Sequence, residues 1–170
     1  SENPIFEVKA VGSFKQNPGC PDFGLSKSQN EQILKLCKNE CFNPSEERRD
    51  ITRVEIIKIT PQNFNDEPVE NLIKDVWKVH DCKNNSQGEC RFRFSDPDYL
   101  KDGRDSLYYV RAIEEPSLRI NGGNLRCDYD ENGNCKKVNI CYGGYQTSRD
   151  DNCTMLSEER AWSSPIYVNQ

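Results

Sequence analysis

Residues 52–60 read TRVEIIKIT. Thr52, Val54, Ile56, Ile57 and Ile59 put β-branched side chains on both faces of an extended segment, the pattern of a central strand covered on both sides. Working outward, residues 5–11 (IFEVKAV) alternate, with Phe6, Val8 and Ala10 on one face and Glu7 and Lys9 on the other. That predicts a half-buried strand. Residues 76–80 (VWKVH) and 90–94 (CRFRF) read as a strand pair, with Trp77, Val79, Phe92 and Phe94 inward and Arg91 and Arg93 outward. Residues 107–113 (LYYVRAI) form another strand, with Tyr108, Val110 and Ala112 on one face. Residues 163–168 (SSPIYV) close the chain as a final strand, where Pro165 suits an edge or a strand start.

The stretch before the central strand behaves differently. Residues 17–24 (NPGCPDFG) are rich in turn formers, and residues 42–50 (FNPSEERRD) break any period with Pro and charge. Between them, residues 28–38 predict a short helix. Ser28 and Glu31 stand at capping-box spacing, and Ile33, Leu34, Leu36 and Cys37 supply an apolar stripe. The whole predicts one domain over residues 1–170, an all-β antiparallel sandwich with a helix-containing excursion at about 20–50. The YYVRA strand followed by a last strand opening SSPI resembles the end of a fibronectin-III/Ig-like sandwich.

Composition narrows the function. Val, Ile, Leu and Phe number 36 in 170 residues, so the core is small for a chain that is 30% charged. Net charge is −5, which argues against a large nucleic-acid footprint. No apolar run approaches the ~18 residues needed to span a bilayer. The single histidine, His80, excludes any site needing several His ligands from this chain alone. The chain begins at Ser1 without a basic stretch leading into an apolar one, so the expectation is a processed chain or a piece of something longer.

Nine cysteines offset the small core. No CxxC pair is present, and Cys37 and Cys41 have no His nearby, so cross-links are favoured over zinc. Local spacing pairs Cys82 with Cys90, Cys127 with Cys135 and Cys141 with Cys153, each across a polar loop, and leaves two of Cys20, Cys37 and Cys41 to pair with each other. One cysteine is then free, or bonded to another chain or to a removed segment. The compartment expected is oxidising: periplasmic or secreted.

Candidate sites are few. Asp128, Asp130 and Asn132, followed by Gly133, copy the opening of an EF-hand calcium loop, but the closing position holds Asn139 in place of Glu, and Cys135 lies inside it. The alternative is a hairpin tip with Asn132-Gly133 as its turn. Asp96, Asp98, Asp102 and Asp105 form a second acidic cluster that would bind calcium if the loop folded back, and otherwise reads as a solvated turn. His80 beside Asp81 lacks a nucleophile motif and reads as a strand-end surface residue. Glu114 and Glu115 are adjacent on a strand and point to opposite faces, which excludes a paired-carboxylate role. Asn121-Gly-Gly-Asn124 reads as a turn, and Trp77 and Trp162 as core. Asn84 and Asn152 fit the N-glycosylation pattern, relevant only to a eukaryotic source. No catalytic residue is assigned.

Several stretches are familiar as a set: VKAVGSF (8–14), GCPDFG (19–24), CFNPSEERRDITRVEIIKI (41–59), FSDPDYLKDGRDSLYYVRAIEEPS (94–117), NGGNLRC (121–127) and EERAWSSPIYV (158–168). Together they resemble the C-terminal region of an exported bacterial family, catalogued as domain of unknown function number thirty-six-oh-four. The larger N-terminal part of that family is similar to the polymerase-and-histidinol-phosphatase class of metal-dependent hydrolases. Its metal-binding motifs have no counterpart here, so the resemblance transfers no catalytic position. It implies a non-catalytic C-terminal β domain, or a cleaved chain, that packs on the larger part for stability or substrate access, with the odd cysteine as a covalent link. The alternative is an independent secreted binding or structural module, stabilised by calcium.

Overall fold

The computed structural model describes residues 2–21, 24–36, 41–82, 88–120, 122, 127–139 and 154–170. In chain order the strands are β1 (Ile5–Val11), β2 (Phe14–Gln16), β3 (Pro44–Arg48), β4 (Ile51–Ile59), β5 (Ile73–Asp81) and β6 (Glu89–Ser95). They continue as β7 (Ser106–Glu114), β8 (Ser117–Ile120), β9 (Cys127–Tyr129), β10 (Cys135–Val138), β11 (Thr154–Ser157), β12 (Arg160–Trp162) and β13 (Ile166–Val168). Helix α1 (Lys27–Leu36) lies between β2 and β3, and the single turn α2 (Tyr99–Asp102) between β6 and β7.

The segment that opened the reading, β4, is the central strand. It lies between β5 and β7 in an antiparallel five-stranded sheet, and the far edge of β7 carries β12 along one half and β13 along the other. β1 pairs antiparallel with β6 in a separate two-stranded sheet. β2–β3, β8–β11 and β9–β10 are outlying two-stranded ribbons.

The two main sheets meet face to face. Val8 and Cys90 of the small sheet share a buried cluster with Ile51, Val54 and Ala112 of the large one, and with Cys82 just beyond β5. Phe6 stacks on Phe94 at 4.8 Å between ring centroids and leans on Tyr108 at 4.7 Å. Each such fully buried side chain contributes about 1.5–3 kcal/mol. The alternation expected of β1 is present, with Phe6 and Val8 buried and Glu7 and Lys9 exposed. On the outer face Glu7 bridges Arg91 and Arg93 of β6. The chain is thus an all-β antiparallel sandwich.

Four expectations need correction. First, residues 76–80 and 90–94 are not paired. They belong to β5 and β6, in different sheets, and face each other across the core, with His80 stacked on Phe92 at 3.8 Å and Trp77 edge-on to Phe94 at 6.3 Å. Alternation marks which face of a strand is apolar but not which strand it pairs with, so a neighbour in the same sheet and a neighbour across the core look alike. His80 is therefore half-buried at the end of β5, with its ring turned to the core side. Val79 is 60% exposed, because the pairing of β4 with β5 slips between Ile56 and Lys58.

Second, the helix cap lies two residues earlier than expected. Ser26 is the cap: Gln29 Oε1 accepts from its backbone N–H (3.2 Å) and hydroxyl (2.8 Å), and Asn30 N–H donates to its carbonyl (3.0 Å). This is a capping box with Gln in the third helical position. No residue of α1 is buried, and Leu36 is 83% exposed. Third, the last strand, expected over residues 163–168, is only β13 (Ile166–Val168), and a separate strand β12 (Arg160–Trp162) precedes it across a break. At the break Val110 N–H donates to the Ser163 hydroxyl (3.1 Å), and Pro165, which has no N–H, stands just before β13. Fourth, Trp162 is 60% exposed and is not core.

Three disulfides lie among the described residues: Cys20–Cys41, Cys82–Cys90 and Cys127–Cys135. Cys20–Cys41 closes the excursion that carries α1. Cys82–Cys90 joins the end of β5 to β6, so the bridge expected across this polar loop ties the two sheets together. Cys127–Cys135 closes the β9–β10 hairpin, whose turn contains Gly133 at φ 80°. Cys37, the Cys141–Cys153 pair, Asn84, Asn152 and most of the Asn121–Asn124 run lie outside the described residues. Among those described, no helix is long and apolar enough to cross a membrane.

Candidate functional site

Lys58 interrupts the apolar run of β4, and it points into the sandwich. It is 2% exposed. Its Nζ lies 2.6 Å from Asp96 Oδ2 and 3.1 Å from Asp102 Oδ2. Tyr108, on the inward face of β7, donates its hydroxyl to the same Asp96 oxygen at 2.6 Å, and Asp98 N–H donates to Asp96 Oδ1 at 3.1 Å. The Lys58 ammonium also lies 5.7 Å from the centre of the Trp77 ring.

Burial pushes the Asp96 carboxyl up, but hydrogen bonds from Lys58, Tyr108 and Asp98, with the charge of Lys58, outweigh it and hold the group below its ordinary value. Burial likewise works against the charged form of Lys58, and Asp96 and Asp102 outweigh it and raise the ammonium. The same desolvation, with the Asp96 bond, raises the Tyr108 hydroxyl well above its usual range. These groups form a paired, satisfied ion cluster with a structural role.

The acidic cluster is therefore not a solvated turn. Asp96 is fully buried and faces Lys58, Asp102 shares that ammonium, Asp98 is exposed, and Asp105 Oδ1 accepts from Gln170 N–H at 2.8 Å. The four carboxylates do not meet at one point. At the β9–β10 tip Asp130 Oδ1 accepts from Asn132 N–H (2.9 Å) and Asn134 N–H (2.8 Å). Those backbone bonds, the one from Asn134 foremost, hold its carboxyl below the ordinary value. Asp128 Oδ1 accepts from the Asn139 amide at 2.9 Å.

Among the described residues one group of three ligand types comes close together, His80 with Cys82 and Cys90. Both sulfurs are in a disulfide, so neither can act as a thiolate ligand. Glu114 is buried and accepts from Ser13 N–H (2.5 Å) and its hydroxyl (3.0 Å), while Glu115 faces Lys15 at 3.7 Å.

What the pattern of residues did not reveal is an opening in the sandwich. A cleft of about 650 Å³ runs between β1 and β12. Val8 and Ala10 of β1 and Val110 and Ala112 of β7 form an apolar floor, and Glu159 and Trp162 stand at the rim. A second depression of about 180 Å³ continues toward β13 and shares Val8, Lys9, Val110 and Ser163 with the first. Buried Val8, Ile51 and Ala112 are among the residues that line it, so the opening beside β1 reaches the edge of the core. An apolar floor with a mixed-charge rim suits the binding of a partner. The exposed Trp162 was one sequence signal for it, once released from the core. Lys58 was the signal for the buried ion cluster, since an ammonium on an inward strand position requires an acidic partner. Set against family models, curated proteins and solved structures, the chain matches none.

Proposed function

We propose that this chain is the non-catalytic C-terminal β domain, or a cleaved chain, of an exported metal-dependent hydrolase, and that it packs on the larger part for stability or substrate access. One observation carries this reading: the sandwich is open along β1, where core residues are left within reach of a partner. The stretches that resemble domain of unknown function number thirty-six-oh-four give the partner its expected character. The disulfides fit an oxidising compartment, which the reading takes as the periplasm or the extracellular space.

The same reading takes the sandwich as fibronectin-III/Ig-like. In an Ig-type sandwich strands C, F and G share one sheet and B lies between A and E in the other. With β1 as B, β4 as C, β6 as E, β7 as F and β12–β13 as G, the pairing order fits, and the place of strand A beside β1 is open.

The test is the intact mass of the native material without reductant. Six of the nine cysteines are bonded within the chain. An odd total leaves at least one for another partner. The expected result is a larger hydrolase chain that is continuous with this one or co-purifies with it. A monomer of 19.6 kDa with a free thiol and no larger companion would contradict the proposal.

A further inference from the structure

β1 is bonded along one edge only. Asp96 N–H donates to the Pro4 carbonyl (3.3 Å) at one end of the β1–β6 ladder, and Gly12 N–H donates to the Gly88 carbonyl (2.8 Å) at the other. In an antiparallel pair the bonded positions alternate. Between those ends Phe6, Val8 and Ala10 therefore turn their backbone groups to β6. Ile5, Glu7, Lys9 and Val11 turn theirs away, toward the cleft, and no backbone bond among the described residues reaches them. A row of alternating donors and acceptors above an apolar floor is complementary to one kind of ligand, an extended polypeptide.

We infer that the cleft is the seat of a β-strand from the larger partner, added to the free edge of β1. Its inward side chains would be small or β-branched and apolar, to meet Val8, Ala10, Val110 and Ala112. Its outward ones would be polar, beside Lys9 and Glu159. β1 is the template because it is seven residues long and regular, whereas the opposite edge is divided into β12 and β13, of three residues each. This inference rests on the packing proposal and assigns it a location and a mode.

The test joins a probe strand of alternating Val and Thr, matched in length to β1, ahead of Ser1 through a flexible Gly/Ser linker. The tether raises its effective concentration to the order of millimolar. Amide hydrogen exchange is then read residue by residue. Without the probe, the amides of Phe6, Val8 and Ala10 should be protected and those of Glu7, Lys9 and Val11 should exchange freely. With it, the second set should slow by about tenfold or more. Lys9→Pro removes an outward N–H without touching the β1–β6 ladder. It should abolish the slowing at Glu7 and Val11 and leave Phe6, Val8 and Ala10 protected.

Unchanged exchange at the second set in the tethered chain would overturn the inference. So would protection of that set before any strand is added, because the chain would then cover its own edge. Protection that rises with protein concentration alone would identify a second copy as the occupant and overturn it equally. A larger partner that co-purifies yet leaves these amides exchanging would also overturn it, while leaving the packing proposal intact.

Discussion

At the scale of single residues, the Lys58–Asp96–Tyr108 cluster joins the two sheets electrically. Removing Lys58 leaves Asp96 buried without its counter-charge, which costs about 3–5 kcal/mol, whereas removing Asp96 leaves Lys58 paired with Asp102 and costs less. Lys58→Ala should therefore lower the unfolding free energy from urea titrations by that amount, more than Asp96→Ala and far more than the exposed Asp98→Ala. Tyr108→Phe loses one hydrogen bond to a charged acceptor and should cost about 1.5–3 kcal/mol. The pH dependence follows from the depressed Asp96 carboxyl. Unfolded Asp titrates near ~3.9 and the folded group lower, so in that window the unfolded chain binds more protons. The stability Asp96 provides is present above its unfolded value and is lost as pH falls through the folded one. Lys58, raised, loses its share only as pH climbs past the ordinary lysine range. Melting at stepped pH should give a plateau across neutrality and a fall below about pH 4, blunted in Asp96→Asn.

At the scale of elements, the longer strands were legible because of their apolar faces, as in Phe6 and Val8 or Tyr108 and Ala112, whereas β2, β3, β8, β11 and β12, of three to five residues each, were not. Nor were the partners of the longer strands. β5 and β6 have inward faces of the same kind, and only the path of the connecting segment decides whether two such strands share a sheet or face each other. The helix was legible as an element but not at its start, since Ser26 and Ser28 are both cap-forming residues with an acceptor side chain three positions on. The structure chooses Ser26 with Gln29. Ser26→Ala should destabilise α1 by about 0.5–2 kcal/mol, whereas Ser28→Ala should be near neutral. Because α1 buries no residue, the loss should appear as faster amide exchange in the helix with little change in global melting.

At the scale of the whole molecule, a small core is held by cross-links. Cys82–Cys90 spans the two main sheets with a sequence separation of 8, and its removal as Cys82→Ala/Cys90→Ala should cost about 2–3 kcal/mol in thermal or urea unfolding. Calcium should add little, because Asp130 and Asp128 serve their own hairpin and Asp96 and Asp102 serve Lys58. Melts in saturating calcium and in chelator should agree within about 1 °C. A bound ion at a hundred times its dissociation constant would add about 2.7 kcal/mol and a shift of several degrees. The open side beside β1 was not legible, because it is set by how two sheets pack and no local pattern encodes that. It is also the feature that gives the domain a reason to have a partner. The central claim is that this sandwich belongs to a larger exported hydrolase. Peptide mapping of the native gene product across the region upstream of Ser1 tests it most directly. The account predicts a His- and Asp-rich hydrolase segment in the same precursor, and a precursor in which only an export signal precedes Ser1 would contradict it.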